Sequence, residues 1–455
     1  MNQILQHLIH KCSKRDRGGA QKGTPLSLIG DVVKLNLTTS PIKEEEAKMK
    51  KIEGGVTAAK GFEAAAVAAE IKYKNRTDMA MVFSKTPCKV AGTFTTNIVK
   101  AAPVKWDQRI VKDSESAQVI IVNSGIANAC TGAEGMMYCQ ETADEAAKIL
   151  GISADSVLVG STGVIGKQLP IDRIKNGISM LVEAKTNTIE AGTNAAKAIM
   201  TTDTCKKEIA VQIEIGDKVV TIGGMAKGSG MIHPNMCTML SFITTDAAIE
   251  KNALQKALSE DIQDTYNMIS VDGDTSTNDT VLLLANGMAE NKEIKEDTEE
   301  YNVFYQALHE VNEYLAKAMA GDGEGATALF EVNVIGAKSK KQAKIISKSI
   351  ACSNLTKAAL AGHDANWGRI LCAMGYSGAE FDPEKVDLFI ESSAGKIQLV
   401  DTGVGTDFDE EKATEILSQE VVIATADLKM GDKKATAWGC DLTHGYIDIN
   451  ADYRS

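Results

Sequence analysis

Apolar residues along this chain follow two spacings, one typical of strands and one typical of helices. Short apolar runs rich in β-branched residues predict strands at 79–83, 90–94, 117–123, 157–159, 281–284, 330–335, 386–390 and 397–399. Apolar positions three and four residues apart predict helices at 136–150, 171–184, 188–200, 249–265, 298–321, 339–351, 364–374 and 410–418. Strands and helices alternate in both halves without a strict βαβ rhythm, which predicts an α/β fold of α+β layers.

Residues 1–53 differ in composition from the rest of the chain. The first 22 residues are basic, and residues 42–51 form a charged run. No continuous apolar core follows the basic residues, so a secretory signal is not predicted. We expect a variable N-terminal extension here. A mitochondrial transit peptide in the first twenty residues is the alternative, and the globular part is predicted to begin at residue 54.

Composition narrows the class of protein. Of the 455 residues 44% are hydrophobic and 24% are charged, which is ordinary for a soluble globular protein. A net charge of −12 argues against a nucleic-acid partner, and no apolar run approaches the length of a membrane span. The nine cysteines form no Cys-x-x-Cys pair and the six histidines no His-x-x-x-His spacing, so neither zinc nor disulfides are expected. These features predict a cytoplasmic protein without a metal.

The stretch from residue 223 to residue 246 has an unusual order of residue types. A glycine-rich loop with Lys227 runs through Pro234 to a hydroxyl residue, Thr238, which opens an apolar run at 239–243. One interpretation is a tight loop that feeds a buried strand. The other is a self-processing site, where the Thr238 hydroxyl attacks the preceding carbonyl group. Hydrolysis of the resulting ester would leave Thr238 with a free α-amine, whose usual pKa of about 7.7–8.0 suits a base near neutral pH.

The order of residues in this stretch favours the second interpretation, a self-processing site. Residues 227–240 (KGSGMIHPNMCTML) closely resemble the processing site of the ornithine acetyltransferase family, the glutamate N-acetyltransferases of arginine biosynthesis. The resemblance covers residues 54–455, with further ordered matches at 123–129, 161–166, 200–204, 272–279, 321–327, 363–369 and 450–455. It departs at Cys237, where the family usually has alanine. Because cysteine is itself a nucleophile, cleavage before Cys237 stays open as an alternative.

The resemblance implies a self-processing, N-terminal-nucleophile-type enzyme whose two lobes share one active site. Cleavage between Cys237 and Thr238 would give an α chain, 54–237, and a β chain, 238–455, assembled as two of each. Thr238 would be the nucleophile. The resemblance also implies the oxyanion-hole pair Thr162 and Gly163, and the substrate-binding residues Thr201, Thr202, Lys227, Thr238, Glu324, Asn450 and Ser455. Of Thr201 and Thr202 one is implied to bind substrate, and the sequence leaves open which.

Each of these residues also has an ordinary structural interpretation. Thr162, Thr201 and Thr202 have the hydroxyls expected in turns and helix caps. Lys227 is a lysine in a loop, Glu324 lies in an acidic turn, and residues at a C-terminus are normally frayed. His233, His363 and His444 are predicted to be structural. Asp272 and Asp274 lack the spacing of a calcium loop and are not predicted to bind metal.

The implied activity is transfer of the acetyl group of N-acetylornithine to glutamate through acetyl-Thr238, which releases ornithine. No cofactor is expected. Whether acetyl-CoA is also used as a co-substrate stays open, because no residue in the sequence decides it. The alternative enzyme class is an N-terminal-nucleophile amidase or aminopeptidase, which passes the acyl group to water. A non-enzymatic protein would remain one uncut chain.

Overall fold

The computed structural model of the protein describes residues 49–233 and 239–452. The interval between these two ranges, 234–238, is called the gap below. Up to the gap its elements are β1 (Lys50–Ile52), β2 (Phe62–Val67), β3 (Met79–Phe94), α1 (Ala102–Asp113), β4 (Ala117–Asn123), α2 (Gly132–Leu150), β5 (Val157–Ser161), α3 (Ile171–Ala184), α4 (Ile189–Ala198), β6 (Lys207–Ile215) and β7 (Lys218–Lys227). After the gap they are β8 (Leu240–Thr245), α5 (Lys251–Asp261), β9 (Thr280–Ala285), α6 (Glu299–Gly321), β10 (Leu329–Ala337), α7 (Lys340–Cys352), α8 (Asn354–Ala361), α9 (Trp367–Gly375), β11 (Asp387–Ser392), β12 (Gly395–Asp401), β13 (Val404–Gly405), α10 (Glu410–Leu417), β14 (Val421–Asp427), β15 (Lys433–Cys440) and α11 (His444–Ala451).

The larger sheet has nine strands and contains residues from both sides of the gap. Its order is β1-β6-β7-β8-β9-β3-β4-β5, and β2 also pairs with β3. β8 lies between the antiparallel β7 and the parallel β9, and every residue of β8 and β9 is buried. Leu240, the first residue of β8, is opposite Lys227 at the end of β7 and Thr280 at the start of β9. This register places the last residue of β7 beside the first residue of β8, at one end of the strands.

Helices with one apolar stripe cover this sheet. In α6 the buried residues Phe304, Leu308, Val311 and Leu315 follow the three-and-four spacing of a helix face. α6 packs on β6 and β7, where Gly224 leaves room for it. A Cβ at Gly224 would lie 3.0 Å from Leu315 and 3.1 Å from Val311. The helix begins at a conventional cap, since the Thr298 hydroxyl accepts a hydrogen bond from the Tyr301 amide at 3.2 Å.

The smaller sheet is built entirely from residues after the gap. Its order is β13-β12-β11-β14-β10-β15, with β10 and β14 parallel and the other pairs antiparallel. Helix α7 packs against β10 and β15, which buries Ile346 and Ile350. After β15 the chain enters α11, which carries Asn450. The two sheets and their helices confirm the predicted mixed α/β architecture.

The structure corrects several boundaries. The strands predicted at 79–83 and 90–94 are one strand, β3, whose pairing with β4 shifts register between Phe83 and Cys88. Pro87 lies in that interval and has no amide hydrogen for a ladder bond. Residues 50–52, assigned to the extension, form β1 and pair with β6, and the compact body begins at Met49 rather than at residue 54. Residues 1–48, with the predicted extension, lie outside the described residues.

Helices α1 and α8 and the β6–β7 hairpin were missing from the sequence prediction. The hairpin has a two-residue Gly216-Asp217 loop with Gly216 at φ +63, and such a loop between alternating residues is a recognisable turn signal. Residues 446–449, an apolar segment near the end of the chain, belong to helix α11.

Candidate active site

One cavity of about 270 Å³ lies where the ends of β5, β7, β8 and β9 meet. Residues predicted for the site from both halves of the chain line it: Thr162, Gly163, Thr201, Thr202, Lys227, Glu324 and Asn450. Cys237, Thr238 and Ser455 lie outside the described residues. Ile232 and Met239, which stand on either side of the gap, also line this cavity. The described chain therefore stops and resumes beside the cavity wall.

Thr162 and Gly163 form a fixed turn at the end of β5. The Thr162 amide donates to the Asn123 carbonyl oxygen at 3.0 Å, and the Val164 amide donates to the Gly125 carbonyl oxygen at 3.1 Å. Gly163 has φ +126, and a Cβ there would lie 2.3 Å from the carbonyl carbon of Gly125. Only glycine fits that position, because any side chain would collide with backbone and strain the dihedral angle. The turn thus presents a threonine and a glycine to the cavity.

Lys227 belongs to a buried network of charges beneath the cavity. Its ammonium nitrogen is 3.9 Å from Asp203 Oδ2, while Lys207 Nζ lies 2.7 Å from Asp203 Oδ1 and 2.5 Å from Asp322 Oδ2. Burial alone would raise the pKa of Asp203, but Lys207 and Lys227 hold that pKa well below its usual range. Burial lowers the pKa of Lys227, and Asp203 opposes this effect. A buried lysine therefore lines the cavity, with Asp203 as its nearest carboxylate.

Asp203 also orders the backbone around this network. Its carboxylate accepts hydrogen bonds from the Gly228 amide at 2.7 Å and from the Thr201 amide at 3.0 Å. Next to it, the hydroxyls of Thr202 and Ser229 are 2.7 Å apart. One buried carboxylate thus fixes the two threonines and the loop after β7 in a common geometry.

Glu324 brings a carboxylate to the same cavity. It is 6% exposed, and its amide donates to the Ser229 carbonyl oxygen at 2.8 Å. Asn450 Nδ2 donates to Glu324 Oε2 at 2.7 Å. A Cβ at Gly230 would lie 2.3 Å from the carboxyl carbon of Glu324, so the glycine lets the carboxylate approach the loop. The cavity therefore offers both an ammonium group and a carboxylate, which complement an amino acid's two charges.

Helix α11 reaches the cavity because the loop after Glu324 allows a close backbone approach. Gly325 has φ +69, and a Cβ there would lie 2.4 Å from the backbone of Gly445 and Tyr446. The Thr443 hydroxyl donates to the Gly325 carbonyl oxygen at 2.5 Å. These contacts place Asn450 at the cavity, although it lies near the C-terminus.

Asp272 and His233 hold the chain just before the gap. The Asp272 carboxylate accepts from the amides of Met231 at 2.6 Å and Ile232 at 2.9 Å. His233 Nδ1 is 3.1 Å from the Ser270 hydroxyl, and burial lowers the pKa of His233 to about 4, so the ring is neutral at pH 7. Both residues have structural contacts, as predicted for His233. Within residues 49–233 and 239–452, no group of three or more His, Cys, Asp or Glu side chains is arranged to hold a metal ion.

Sequence reasoning missed one wall of the cavity. Ser276, Thr277, Asn278 and Asp279 line it from the loop that precedes β9. The motif at 272–279 contributed to the resemblance, but no role was predicted for it. A polar run that enters a fully buried strand is the signal that could have pointed to these residues, because polar side chains beside such a strand need partners.

The ArgJ family model matches residues 63–455 of this chain. The chain belongs to the ArgJ family. An arginine biosynthesis bifunctional protein ArgJ from Thermotoga neapolitana is 51% identical over 397 residues, 87% of this chain and 99% of that protein. The corresponding protein ArgJ 1 of Clostridium acetobutylicum is 52% identical over 398 residues, 87% of this chain and 96% of that protein. The crystal structure of an ornithine acetyltransferase from Mycobacterium tuberculosis, complexed with ornithine, is 42% identical and covers 41% of this chain and 99% of that chain, with a TM-score of 0.39.

Membership of the ArgJ family confirms the resemblance drawn from the motifs. It also confirms the predicted enzyme class, an acetyltransferase of arginine biosynthesis, and lends no support to the amidase alternative. Over the part of the chain that the structure describes, no helix is both long enough and apolar enough to cross a membrane.

Proposed function

We propose that this chain transfers the acetyl group of N-acetylornithine to glutamate through an acetyl ester on Thr238. The observation that carries this proposal is the convergence on one cavity of the Thr162–Gly163 turn, the Lys227 ammonium and the Glu324 carboxylate. Met239 lines the same cavity, and consecutive Cα atoms are about 3.8 Å apart. A nucleophile at position 238 would therefore lie within reach of a substrate bound there.

The proposed reaction has two halves with the same geometry. The Thr238 hydroxyl attacks the acetyl carbonyl carbon, and the α-amine of Thr238 accepts the hydroxyl proton. The Thr162 hydroxyl and the Gly163 amide donate to the oxyanion of the tetrahedral intermediate. Collapse breaks the amide bond, and ornithine leaves with the proton. The amine of glutamate then attacks the ester, which releases N-acetylglutamate and restores Thr238.

Charge complementarity explains how one cavity would accept both amino acids. The Lys227 ammonium pairs with the α-carboxylate that N-acetylornithine and glutamate share. Glu324 accepts from a substrate amino group, and Asn450, already bonded to Glu324, fixes the direction of that carboxylate. Thr201, Thr202 and Ser455 complete the proposed substrate-binding set. A charged hydrogen bond contributes about 1.5–3 kcal/mol, enough to orient a small zwitterion.

The proposal includes maturation and assembly. Cleavage between Cys237 and Thr238 exposes the α-amine, and two α and two β chains form the enzyme in the cytoplasm. Use of acetyl-CoA as a second acetyl donor is left open in this scheme, because no residue decides it. These parts rest on the family resemblance and on the residues around the Thr238 position.

Thr238→Ala tests the proposal directly. This variant lacks the hydroxyl needed for both cleavage and acetyl transfer, so we expect a single 48.5 kDa chain without activity. Thr238→Ser is the matched control and should retain some of both activities. In the wild type, N-terminal sequencing of the smaller chain should begin Thr-Met-Leu-Ser-Phe.

The position of the acetyl group is determined by mass spectrometry after the protein is mixed with N-acetylornithine in the absence of glutamate, the acceptor. Acetylation of the Thr238 peptide supports the proposal. Label on Cys237 alone, a smaller chain that begins with Cys237, or full turnover in Thr238→Ala would each refute it.

A further inference from the structure

Asn278 connects the two halves of the chain at the proposed oxyanion hole. It is 8% exposed and lies two residues before β9, in the wall of the cavity. Its Nδ2 atom donates to the carbonyl oxygens of Ala127 at 2.6 Å and Ser161 at 2.8 Å. Its Oδ1 atom accepts from the Thr277 hydroxyl at 2.6 Å. Two carbonyl acceptors on one side fix which way the amide faces.

The Ser161 carbonyl belongs to the peptide group that leads into Thr162. That peptide group is therefore bonded at both ends, its carbonyl to Asn278 and its amide to the Asn123 carbonyl oxygen at 3.0 Å. On the far side of Gly163, the Val164 amide donates to Gly125. The Thr162–Gly163 turn is thus held between two anchored peptide groups, and one anchor comes from the other half of the chain.

The second bond of Asn278 reinforces the first. Ala127, whose carbonyl accepts from Asn278, donates its own amide to the Val164 carbonyl oxygen at 3.0 Å. A single side chain therefore supports the strand end before Thr162 and the segment that pairs with the turn after Gly163. Moving this side chain would shift both flanks of the turn together.

We propose that Asn278 is a positioning residue for the oxyanion hole, supplied across the cleavage site to the Thr162–Gly163 turn. Oxyanion donors stabilise charge only where it develops in the transition state, so their placement controls kcat rather than ground-state binding. Displacement of such groups by about 1 Å costs about 10²-fold in rate. Asn278 itself touches no reacting atom. The inference rests on the proposed function, which assigns the hole to Thr162 and Gly163.

Asn278→Ala and the matched control Asn286→Ala test this role. Asn286 stands immediately after β9, and its Nδ2 donates to the Lys60 carbonyl oxygen at 2.8 Å and to the Ser84 hydroxyl at 3.3 Å. Both side chains thus join the same two halves of the chain, at opposite ends of one strand. Both substitutions should lower the melting temperature, but only Asn278→Ala should alter the chemistry.

For Asn278→Ala we expect kcat to fall about 10²-fold, with KM for N-acetylornithine within about twofold of the wild type. The rate of Thr238 acetylation in a single turnover, measured by quenching and mass spectrometry, should fall equally. Asn278→Ser keeps one donor and should lose about tenfold. The serine variant is used if the alanine variant does not fold.

A wild-type acetylation rate in the folded Asn278 variants would overturn the inference, as would an equal loss of kcat in Asn286→Ala. Failure of the proposed function can be told apart from failure of this inference, because the wild type itself would then form no acetyl-Thr238.

Discussion

Replacing Asp203 with asparagine should expose how much the buried charge network contributes to stability and binding. The Asp203 side chain is fully buried and meets Lys207 and Lys227, while Lys207 also pairs with Asp322. Asparagine has the same shape, but it removes the charge and presents an amide donor on one side. That side would face either a lysine ammonium or a backbone amide, so at least one buried donor would lose its acceptor.

The magnitude follows from burial. Removing one partner of a buried ion pair costs about 3–5 kcal/mol, because the remaining charge is left uncompensated. Lys207 keeps Asp322 at 2.5 Å in the variant, which places our expectation at the lower end, about 3 kcal/mol. The free energy of unfolding is compared by urea denaturation in the uncut Thr238→Ala background, where both variants unfold as single chains.

The contribution of Asp203 to the free energy of unfolding depends on pH with a defined sign. The folded-state pKa of Asp203 is held below its unfolded value, so its stabilisation is fully present above about pH 4. It is lost as the pH falls through the folded-state pKa. The pKa of Lys207 is raised by Asp203 and Asp322, despite the opposing effect of burial, so its contribution persists below its unfolded value of about 10.4. Between pH 5 and pH 8 neither Asp203 nor Lys207 should therefore add a pH dependence to the difference between wild type and Asp203→Asn.

Binding should change as well, since Asp203 raises the pKa of Lys227 against the effect of burial. Without Asp203, Lys227 loses its proton at a lower pH. In the processed enzyme, KM for N-acetylornithine should then begin to rise at a lower pH than in the wild type.

Asp264→Asn is the matched control. Asp264 also bridges two lysines, Lys340 and Lys344, each at 2.6 Å, but its side chain is 22% exposed. Solvent weakens such pairs to about 1 kcal/mol or less. An Asp203→Asn loss no larger than that of Asp264→Asn would refute the reasoning about the buried network.

Two further predictions concern the carboxylate side of the cavity. Glu324→Gln should leave chain cleavage intact on a denaturing gel and raise KM for the amino-acid substrates about 10–100-fold, since it replaces a charged acceptor with a neutral one. If cleavage also stopped, Glu324 would belong to the processing machinery or to the fold. Gly230→Ala should raise the same KM values, because its Cβ would lie 2.3 Å from the Glu324 carboxyl carbon. Gly375→Ala, where a Cβ meets nothing within 4 Å, is the control, and equal KM values in the two variants would contradict this placement.

The sequence alone predicted much of the fold, and its motifs named seven of the residues that line the cavity. Helix 171–184 was predicted at its observed bounds, and 298–321 within one residue, because each has a long amphipathic stripe. Thr162, Lys227 and Glu324 were recognised through local motifs that keep their order along the chain. Such motifs can be recognised because a glycine near a predicted site residue marks a close approach, as at Gly163 and Gly230.

Tertiary structure decided which distant residues act together. No local pattern shows that Asp203 bridges two lysines, or that Asn278 reaches the Ser161 carbonyl 117 positions away. The joining of 79–83 and 90–94 into one strand likewise depends on β9, which pairs with the second half of β3. Periodicity reports which face of an element is buried, whereas a partner's identity depends on the register between strands and on how closely their backbones approach. That register places Asn278 beside the turn that its hydrogen bonds hold.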